Sequence, residues 1–201
     1  MEKRSPIRRI MAIRGMGQVV TVTIGLIILC LVFGAMNPSF FSGKNMGNLL
    51  RQIAPTLIIG IGQSYILITG NIDLSIGSVV GMSCMISATM MTKGVNPWVA
   101  ALITLACCLL IGFVNGELVA RYKLPPFIAT MGMMTIVRAV ILLISDARNI
   151  SGLDKAFTDF AKSTVGFPGV DQFGNPTTVG IPVMALVWVI LIIISWLMFR
   201  Y

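Results

Sequence analysis

The chain has 201 residues, of which 56% are apolar and 11% are charged, and its formal net charge is +8. A soluble domain of this size leaves roughly a third of its unfolded-chain surface exposed and needs polar residues to cover it. The composition therefore excludes a soluble globular fold and predicts an integral membrane protein.

The positive charge does not indicate a nucleic-acid-binding surface. Lys and Arg lie mainly at the ends of apolar runs, without a basic face interleaved with aromatic side chains, so no nucleic-acid partner is expected. The chain has no histidine, and its four cysteines lie inside apolar stretches without a CxxC pair. We therefore predict no metal site, no cofactor in this chain and no hydrolytic triad, and hence no enzyme.

Six apolar runs predict an all-α, polytopic transmembrane helix bundle. A helix rises about 1.5 Å per residue, so about twenty residues cross a hydrocarbon core of roughly 30 Å. The predicted spans are Gly17–Met36, Ile53–Thr69, Ile76–Met91, Trp98–Val119, Phe127–Ser145 and Val183–Phe199. The first run follows a basic segment, residues 1–16, so a cleaved signal peptide is the competing interpretation. We favour a retained anchor, because the run is long and no small-x-small cleavage site follows it.

The basic residues predict that both ends of the chain are cytoplasmic. Short cytoplasmic loops of membrane proteins collect Lys and Arg. With six spans and the N-terminus inside, the cytoplasmic positions hold Lys3, Arg4, Arg8, Arg9, Arg14, Arg121, Lys123 and Arg200. The short external loops hold only Lys44, Arg51 and Lys93. We therefore expect residues 1–16 to be cytoplasmic and residues 146–182 to form an external loop.

The external loop combines turn signals with one amphipathic stretch. Pro168-Gly169 and Asn175-Pro176 predict turns. The stretch Leu153–Thr164 is consistent with a short surface helix, and an irregular connector is the alternative. This loop is the natural docking surface for an external partner.

Two GxxxG patterns, Gly77 to Gly81 and Gly112 to Gly116, lie inside predicted spans. Such patterns allow helix backbones to approach closely. We interpret both as packing signals, with dimerisation sites as the alternative.

Three ionisable residues, Asp73, Glu117 and Arg138, lie within or beside the apolar runs. A charge in the bilayer costs at least about 2.5 to 3.5 kcal/mol, so each residue is a functional candidate. Glu117 lies about one helical turn from Arg121, and we expect these two to pair at the membrane boundary. Arg138 is expected to pair inside the bundle with Glu117 or Asp73. Asn115 adds a group that can hydrogen-bond between helices.

The segment Gly70–Ser75 interrupts the apolar sequence and predicts either a tight hairpin or a re-entrant, broken helix. In the first interpretation, Asp73 and Ser75 accept hydrogen bonds from the free N–H groups of a helix that begins there. In the second, unwound backbone near Asn71 and Asp73 lines a cavity, as in transporters. The sequence alone does not separate the two.

Two motifs carry a resemblance to a known family. The stretch Ile68–Ser78 resembles a signature of bacterial ATP-binding-cassette permeases for monosaccharides, and Asn115–Val119 with Leu124–Arg138 resembles a second region of that family. The resemblance runs from about Leu49 to Tyr201. This chain departs from the family pattern at Asn71 and Ala139, where glycine is frequent.

The resemblance implies a permease subunit in a bacterial cell membrane, embedded in the lipid bilayer and paired with a second permease copy. Two cytoplasmic ATPase subunits would drive import, and an external solute-binding protein would deliver the sugar. Family members continue beyond this length, so we expect residues 17–201 to be an incomplete transmembrane permease domain. The candidates for the substrate path or its structural support are Asn71, Asp73, Ser75, Asn115, Glu117 and Arg138.

An ion-coupled secondary transporter is the alternative function. It would use Asp73, Glu117 and Arg138 as a proton or sodium relay. Neither interpretation identifies the solute, because no residue of the sequence is recognisable as a sugar clamp.

Overall fold

The computed structural model describes residues 16–170 and 176–200. Within these ranges the chain is almost entirely helical, with one short 3-10 helix at Pro38–Phe41 and one two-stranded sheet. The helices are α1 (Met16–Met36), α2 (Gly43–Ile68), α3 (Ile76–Thr92), α4 (Pro97–Ala120), α5 (Pro126–Ser145), α6 (Lys155–Lys162) and α7 (Val183–Arg200). The strands are β1 (Thr164–Val170) and β2 (Pro176–Pro182).

All six predicted spans form helices, namely α1 to α5 and α7. Within the described ranges, α1, α4 and α5 are long and apolar enough to cross a membrane, and α3 and α7 are shorter apolar helices. The predicted all-α, multi-pass membrane fold is therefore confirmed. The main difference is at α2, which begins at Gly43 rather than Ile53 and contains Pro55. The first turns of α2 contain polar residues, so the helix is longer than the apolar run from which it was predicted.

Local sequence signals explain where α4 and α5 begin. The Asn96 side chain accepts a hydrogen bond from the Trp98 N–H at 3.0 Å, and Pro97 occupies the first helical position. An N-cap side chain satisfies a free N–H, and proline at this position gives up no helical hydrogen bond. Pro126 likewise occupies the first position of α5, without a side-chain cap before it, and Asp146 follows the helix with a left-handed φ of 49°.

The described residues divide into two compact units, one from residues 16–49, 168–170 and 176–179 and one from residues 50–167 and 180–200. In the first, the rings of Phe33 and Phe40 lie 5.9 Å apart, and those of Phe40 and Phe41 are 5.0 Å apart, edge to face. Helix α1 itself buries no residue. Its apolar surface is consistent with a helix that faces lipid.

The core of the second unit is built from α3, α4 and α5, which pack against one another. Most of its buried side chains are small, such as Ala100, Thr104, Ala129 and Thr130. Small residues let helix backbones approach closely in a membrane, where van der Waals contact rather than the hydrophobic effect drives helix association. The core therefore follows the packing pattern of membrane bundles.

The two GxxxG patterns differ in what they contact. A Cβ atom at Gly81 would lie 3.4 Å from Ile141 Cδ1, so this glycine packs against α5. At Gly77, Gly112 and Gly116, a Cβ atom would meet no neighbouring element within 4 Å. Within the described chain, the packing interpretation therefore holds for Gly81 alone.

The segment that follows α5 contains more order than the sequence indicated. The predicted amphipathic helix is present as α6, with Asp154 as its N-cap. The Trp98 ring contacts Phe157 and Phe160 edge to face at 6.4 and 5.0 Å, which fixes α6 against the start of α4. The Arg51 guanidinium donates to the Lys162 carbonyl at 2.9 Å. Helix α6 is therefore tied to both α2 and α4.

One turn prediction in this segment is wrong. Pro168-Gly169 lies inside β1, which pairs with β2. Pairing between strands overrides the local turn preference, and proline is tolerated in a strand that has a free edge. The second predicted turn falls partly at Asn175, outside the described residues, and Pro176 begins β2.

Candidate functional site

The site is built on the non-helical segment between α2 and α3. Helix α2 ends at Ile68, and Gly70, two residues later, has a φ of +76°. The Gly70 N–H donates to the Leu67 carbonyl at 3.0 Å, and the Asn71 N–H donates to the Ile66 carbonyl at 3.1 Å. This is a Schellman cap, which requires a left-handed residue and thus favours glycine. Asn71 needs no unusual backbone angle, so its departure from the family pattern is compatible with this turn.

A hydrogen-bonded chain then joins three of the predicted site residues. The Asp73 carboxylate accepts from the Ser75 N–H at 2.7 Å and from the Ser75 hydroxyl at 2.6 Å. The Asn115 amide donates to the same hydroxyl at 2.9 Å. Ser75 and Asn115 are both buried. These hydrogen bonds, which run from α4 through Ser75 to Asp73, thus fix the start of α3 against α4.

Asp73 therefore stabilises the approach to α3 rather than capping it directly. Ser75 is the residue at the N-cap, and its side chain makes no capping hydrogen bond. Asp73 lies two residues earlier and forms a local Asx turn. The predicted hydrogen bond to the Asp73 carboxylate is present, but its donor is the N–H of the N-cap residue itself rather than one of the first helical turn.

Two further residues hold the segment, and the sequence interpretation missed both. The Gln63 amide donates to the Asp73 carbonyl at 3.3 Å, and the Thr130 hydroxyl lies 3.4 Å from the Ile72 carbonyl and 2.8 Å from the Pro126 carbonyl. Gln63 is a polar residue within an apolar run, which was the signal available in the sequence. Thr130 lies inside the second family-like region.

The segment meets α4 and α5 along their sides rather than at their ends, although Ile72 and Leu74 are exposed. Asn115 is about 7 Å before the end of α4, and Thr130 is about 6 Å after the start of α5, at about 1.5 Å per residue. Helix α3 packs mainly against α4 and α5 rather than along α2. Within the described residues, α2 and α3 therefore do not pack against each other as a close hairpin. The non-helical segment contacts α4 and α5 more than one helical turn from the ends of those helices.

A cavity of about 310 Å³ borders this segment. Its polar lining comes from Thr69, Asn71, Asp73, Asn115 and Thr130, and Gly112 and Gly116 lie on its α4 side. The side-chain carbonyl oxygens of Asn115 and Gln63 are buried without a hydrogen-bond partner in the described chain. An apolar pocket with a few converging polar groups is the usual form of a small-molecule site.

Glu117 and Arg138 do not join this network. No ion pair links Glu117 to Arg121, or Arg138 to Glu117 or Asp73, within the described residues. The expected pairs are therefore absent there. Arg121 is exposed at the end of α4, where water competes with ion pairing, and Arg138 is exposed far along α5 from either acid.

A second cavity, of about 490 Å³, lies between α3, α4 and α6. Its lining is mostly apolar or weakly polar and includes Cys84, Thr104, Cys108 and Phe157. It contains no carboxylate or amide side chain. The cavity beside Asp73 is therefore the better candidate for contact with a polar molecule.

The sequence was also compared with known proteins. A family profile described as a branched-chain amino acid transport system, permease component, matches residues 45–201. The chain belongs to this permease family. No solved structure matches it.

The relatives of this permease include several sugar importers. A ribose import permease of Bacillus subtilis is 34% identical over 175 residues, 87% of this chain and 51% of that protein. A D-allose transport system permease of Escherichia coli is 36% identical over 146 residues, 71% of this chain and 45% of that protein. A galactose/methyl galactoside import permease of Salmonella typhimurium is 33% identical over 180 residues, 82% of this chain and 53% of that protein.

The permease spans about half the length of these relatives. All of them are named as permeases, which agrees with the predicted transport protein rather than an enzyme. The resemblance to monosaccharide permeases drawn from the two motifs is confirmed.

Proposed function

We propose that this permease forms part of the membrane path of an ATP-driven importer for a monosaccharide or a similar small polar solute. The observation that carries the proposal is the polar cavity beside the non-helical segment, in a chain whose relatives import sugars. A sugar presents hydroxyl groups that both donate and accept hydrogen bonds. The cavity offers a carboxylate, two carboxamides and two hydroxyls to match them.

The six residues proposed for the substrate path divide by their surroundings. Asn71, Asp73 and Asn115 line the cavity, and Ser75 connects the last two. We assign solute contact to Asn71 and Asp73, and support of the cavity wall to Ser75 and Asn115. Glu117 and Arg138 lie outside the cavity lining.

The proposed topology has residues 1–16 and the C-terminal end of α7 in the cytoplasm. Residues 17–201 form the transmembrane permease domain, and residues 146–182 lie outside the cell. This orientation rests on the distribution of Lys and Arg, which collect in short cytoplasmic loops. Trp98, near the start of α4, fits a position at the level of the lipid head groups, where Trp is enriched.

The proposed partners follow from the family resemblance. They are cytoplasmic ATPase subunits, a second permease copy and an external solute-binding protein. Helix α6, which is anchored to α2 and α4, offers the binding protein a fixed surface.

Ion-coupled transport has less support. A proton or sodium relay requires its charged groups to communicate through hydrogen bonds or water. Asp73, Glu117 and Arg138 are not joined by hydrogen bonds or ion pairs within the described residues. The relatives compared above are named as permeases of sugar import or transport systems.

The direct test is uptake of radiolabelled monosaccharides by cells that express the complete transport system. We expect uptake to stop when ATP is depleted and to continue when an ionophore dissipates the ion gradients. The reverse pattern would contradict the proposal and favour ion coupling.

Asp73 variants separate solute contact from support of the fold in the same assay. Asp73→Asn retains a side-chain oxygen that can accept from Ser75, so the transporter should reach the membrane in normal amounts while uptake falls. Asp73→Ala removes these hydrogen bonds and should reduce both. Full uptake by Asp73→Asn would rule out a role for the carboxylate in solute contact.

A further inference from the structure

The second GxxxG pattern lies on the face of α4 that lines the cavity beside Asp73. Four residues of this face border the cavity, namely Gly112, Asn115, Gly116 and Val119. Their spacing of i, i+3, i+4 and i+7 places residues on one side of a helix. Both glycines are exposed, and a Cβ atom at either would meet no neighbouring element of the described chain within 4 Å. Among the described residues, these glycines therefore widen the cavity rather than bring another helix closer.

A helix supplied by another part of the transporter does not fit into this cavity. One helical turn is about 5.4 Å tall and about 10 Å wide with its side chains, so it fills about 420 Å³. The cavity measures about 310 Å³ and is bordered by α2, the non-helical segment, α4 and α5. Small-molecule pockets have volumes of about 300 Å³ and more, so the cavity suits a single small solute.

A buried polar group on the same face of α4 indicates the chemistry of that solute. Asn115 lies between the two glycines in the sequence, is 6% exposed and donates its amide N–H to the Ser75 hydroxyl. Its side-chain carbonyl oxygen has no hydrogen-bond partner among the described residues. An unpaired carbonyl in a membrane protein is unfavourable, and a hydroxyl group is a suitable donor for it. This face of α4 therefore combines an acceptor for a hydroxyl group with open space at both glycines.

We propose that Gly112 and Gly116 set the size of the solute that the cavity admits. Without side chains at these positions, a sugar ring can lie against the backbone of α4, between this helix and Asp73. A side chain at either glycine would take the space of a ring substituent, such as a hydroxymethyl group. This inference rests on the proposed transport function and adds to it the residues that limit solute size.

The test replaces Gly116, and separately Gly112, by alanine and by valine in the complete transporter, reconstituted with its ATPase subunits and binding protein. The probes are radiolabelled ribose and radiolabelled galactose, and the measured quantity is sugar imported per ATP hydrolysed. One added methyl group in a pocket changes discrimination by about tenfold or more. We expect each alanine variant to import at least about tenfold less sugar per ATP, and each valine variant less again. Stimulation of ATP hydrolysis by the loaded binding protein should persist, because these substitutions alter the cavity and not the assembly.

Gly77→Ala and Gly77→Val are the matched controls. Gly77 belongs to the other GxxxG pattern, is exposed in regular helix, and lies outside the cavity lining. A Cβ atom there also meets no neighbouring element within 4 Å. Both control variants should import as much sugar per ATP as the unsubstituted transporter, and all three alanine variants should resist SDS-induced unfolding at least as well as it does.

Three outcomes would overturn the proposal. The first is unchanged import per ATP in the alanine and valine variants of both cavity glycines. The second is an equal loss of import in the Gly77 variants, which would show a general effect on helices. The third is loss of assembly or of stimulated ATP hydrolysis in both Gly112→Ala and Gly116→Ala, while Gly77→Ala stays intact. That result would show that the two glycines serve helix packing.

The size limit and the energy source of uptake fail independently. Unchanged import by the cavity variants, with intact ATP-driven uptake, would reject only the role of the two glycines. If uptake is driven by an ion gradient, the proposed ATP-driven function fails. Slower uptake by Gly116→Ala than by Gly77→Ala, at equal amounts in the membrane, would then still support the size limit. Import of neither sugar by the unsubstituted transporter would reject the proposed function on which the inference rests.

Discussion

Asn115 places a carboxamide inside a membrane-spanning helix, where an unpaired polar group is unfavourable. Its amide N–H₂ donates to Ser75, and the Ser75 hydroxyl donates to Asp73. Each hydrogen bond from Asn115 through Ser75 to Asp73 joins a donor to an acceptor, because a carboxylate is an acceptor only. Asn115 therefore explains how a polar, non-helical segment is kept at a fixed position beside α4.

Replacement of Asn115 by leucine should destabilise the bundle. Interhelical hydrogen bonds of this kind contribute about 0.6 kcal/mol on average and up to about 1.7 kcal/mol, so we expect a loss in that range. SDS-induced unfolding in mixed micelles measures it. Thr104→Val is the matched control, because Thr104 is buried on the same helix and its hydroxyl has no partner in the described chain. An effect of Asn115→Leu no larger than that of Thr104→Val would contradict the proposed network.

The residue scale also shows where prediction from sequence fails. Asp73, Ser75 and Asn115 were recognisable because polar residues are conspicuous in apolar runs, and the structure brings them together. Their partners were not predictable, because the pairing depends on how α3, α4 and α5 pack. The expected pairing of Glu117 with Arg121 relied on spacing alone, which permits a contact between two side chains without requiring it.

At the scale of single elements, apolar length predicted the helices and local capping signals set their ends. Asn96-Pro97 starts α4 within one residue of the predicted boundary. Helix α2 extends beyond its apolar run, since helix geometry does not depend on hydropathy. The β1–β2 sheet was missed, because strand pairing between distant residues leaves a weak local signal and here contradicts the Pro168-Gly169 turn signal.

The cap at the end of α2 makes a specific prediction for Gly70. Its φ of +76° is unfavourable for any residue with a Cβ atom. Gly70→Ala should reduce the free energy of unfolding by about 1 to 2 kcal/mol. Gly77→Ala is the control, because a Cβ there meets no neighbouring element and the residue lies in regular helix. Equal effects of the two substitutions would show that the cap does not depend on the left-handed conformation.

The attachment of α6 to the start of α4 can be tested with Trp98→Ala. The substitution removes two edge-to-face contacts, with Phe157 and Phe160. Such pairs contribute about 0.5 to 1.5 kcal/mol each, so opening of α6 should increase by roughly fivefold or more. Limited trypsin digestion after Lys155 and Lys162 measures the opening. Phe113→Ala, at an exposed aromatic residue on α4, should leave the cleavage rate unchanged, and equal rates for both variants would contradict the attachment.

At the scale of the whole molecule, the described chain is a bundle with little interior of its own. Its buried residues are few and mostly small, and large apolar side chains cover its outer surface. Lipid and partner proteins are the surroundings that suit such a surface. Composition predicted a membrane protein, and two motifs predicted its family. Neither composition nor these motifs indicates how the partner proteins are arranged.

The central claim is that this permease works in an importer driven by ATP. The most direct measurement is ATP hydrolysis by the complete transporter, purified with its ATPase subunits and reconstituted in proteoliposomes, with and without solute-loaded binding protein. We predict that the loaded binding protein stimulates hydrolysis and that the empty binding protein does so less. Failure of any ATPase to co-purify, together with uptake that collapses when the ion gradient is dissipated, would contradict the account.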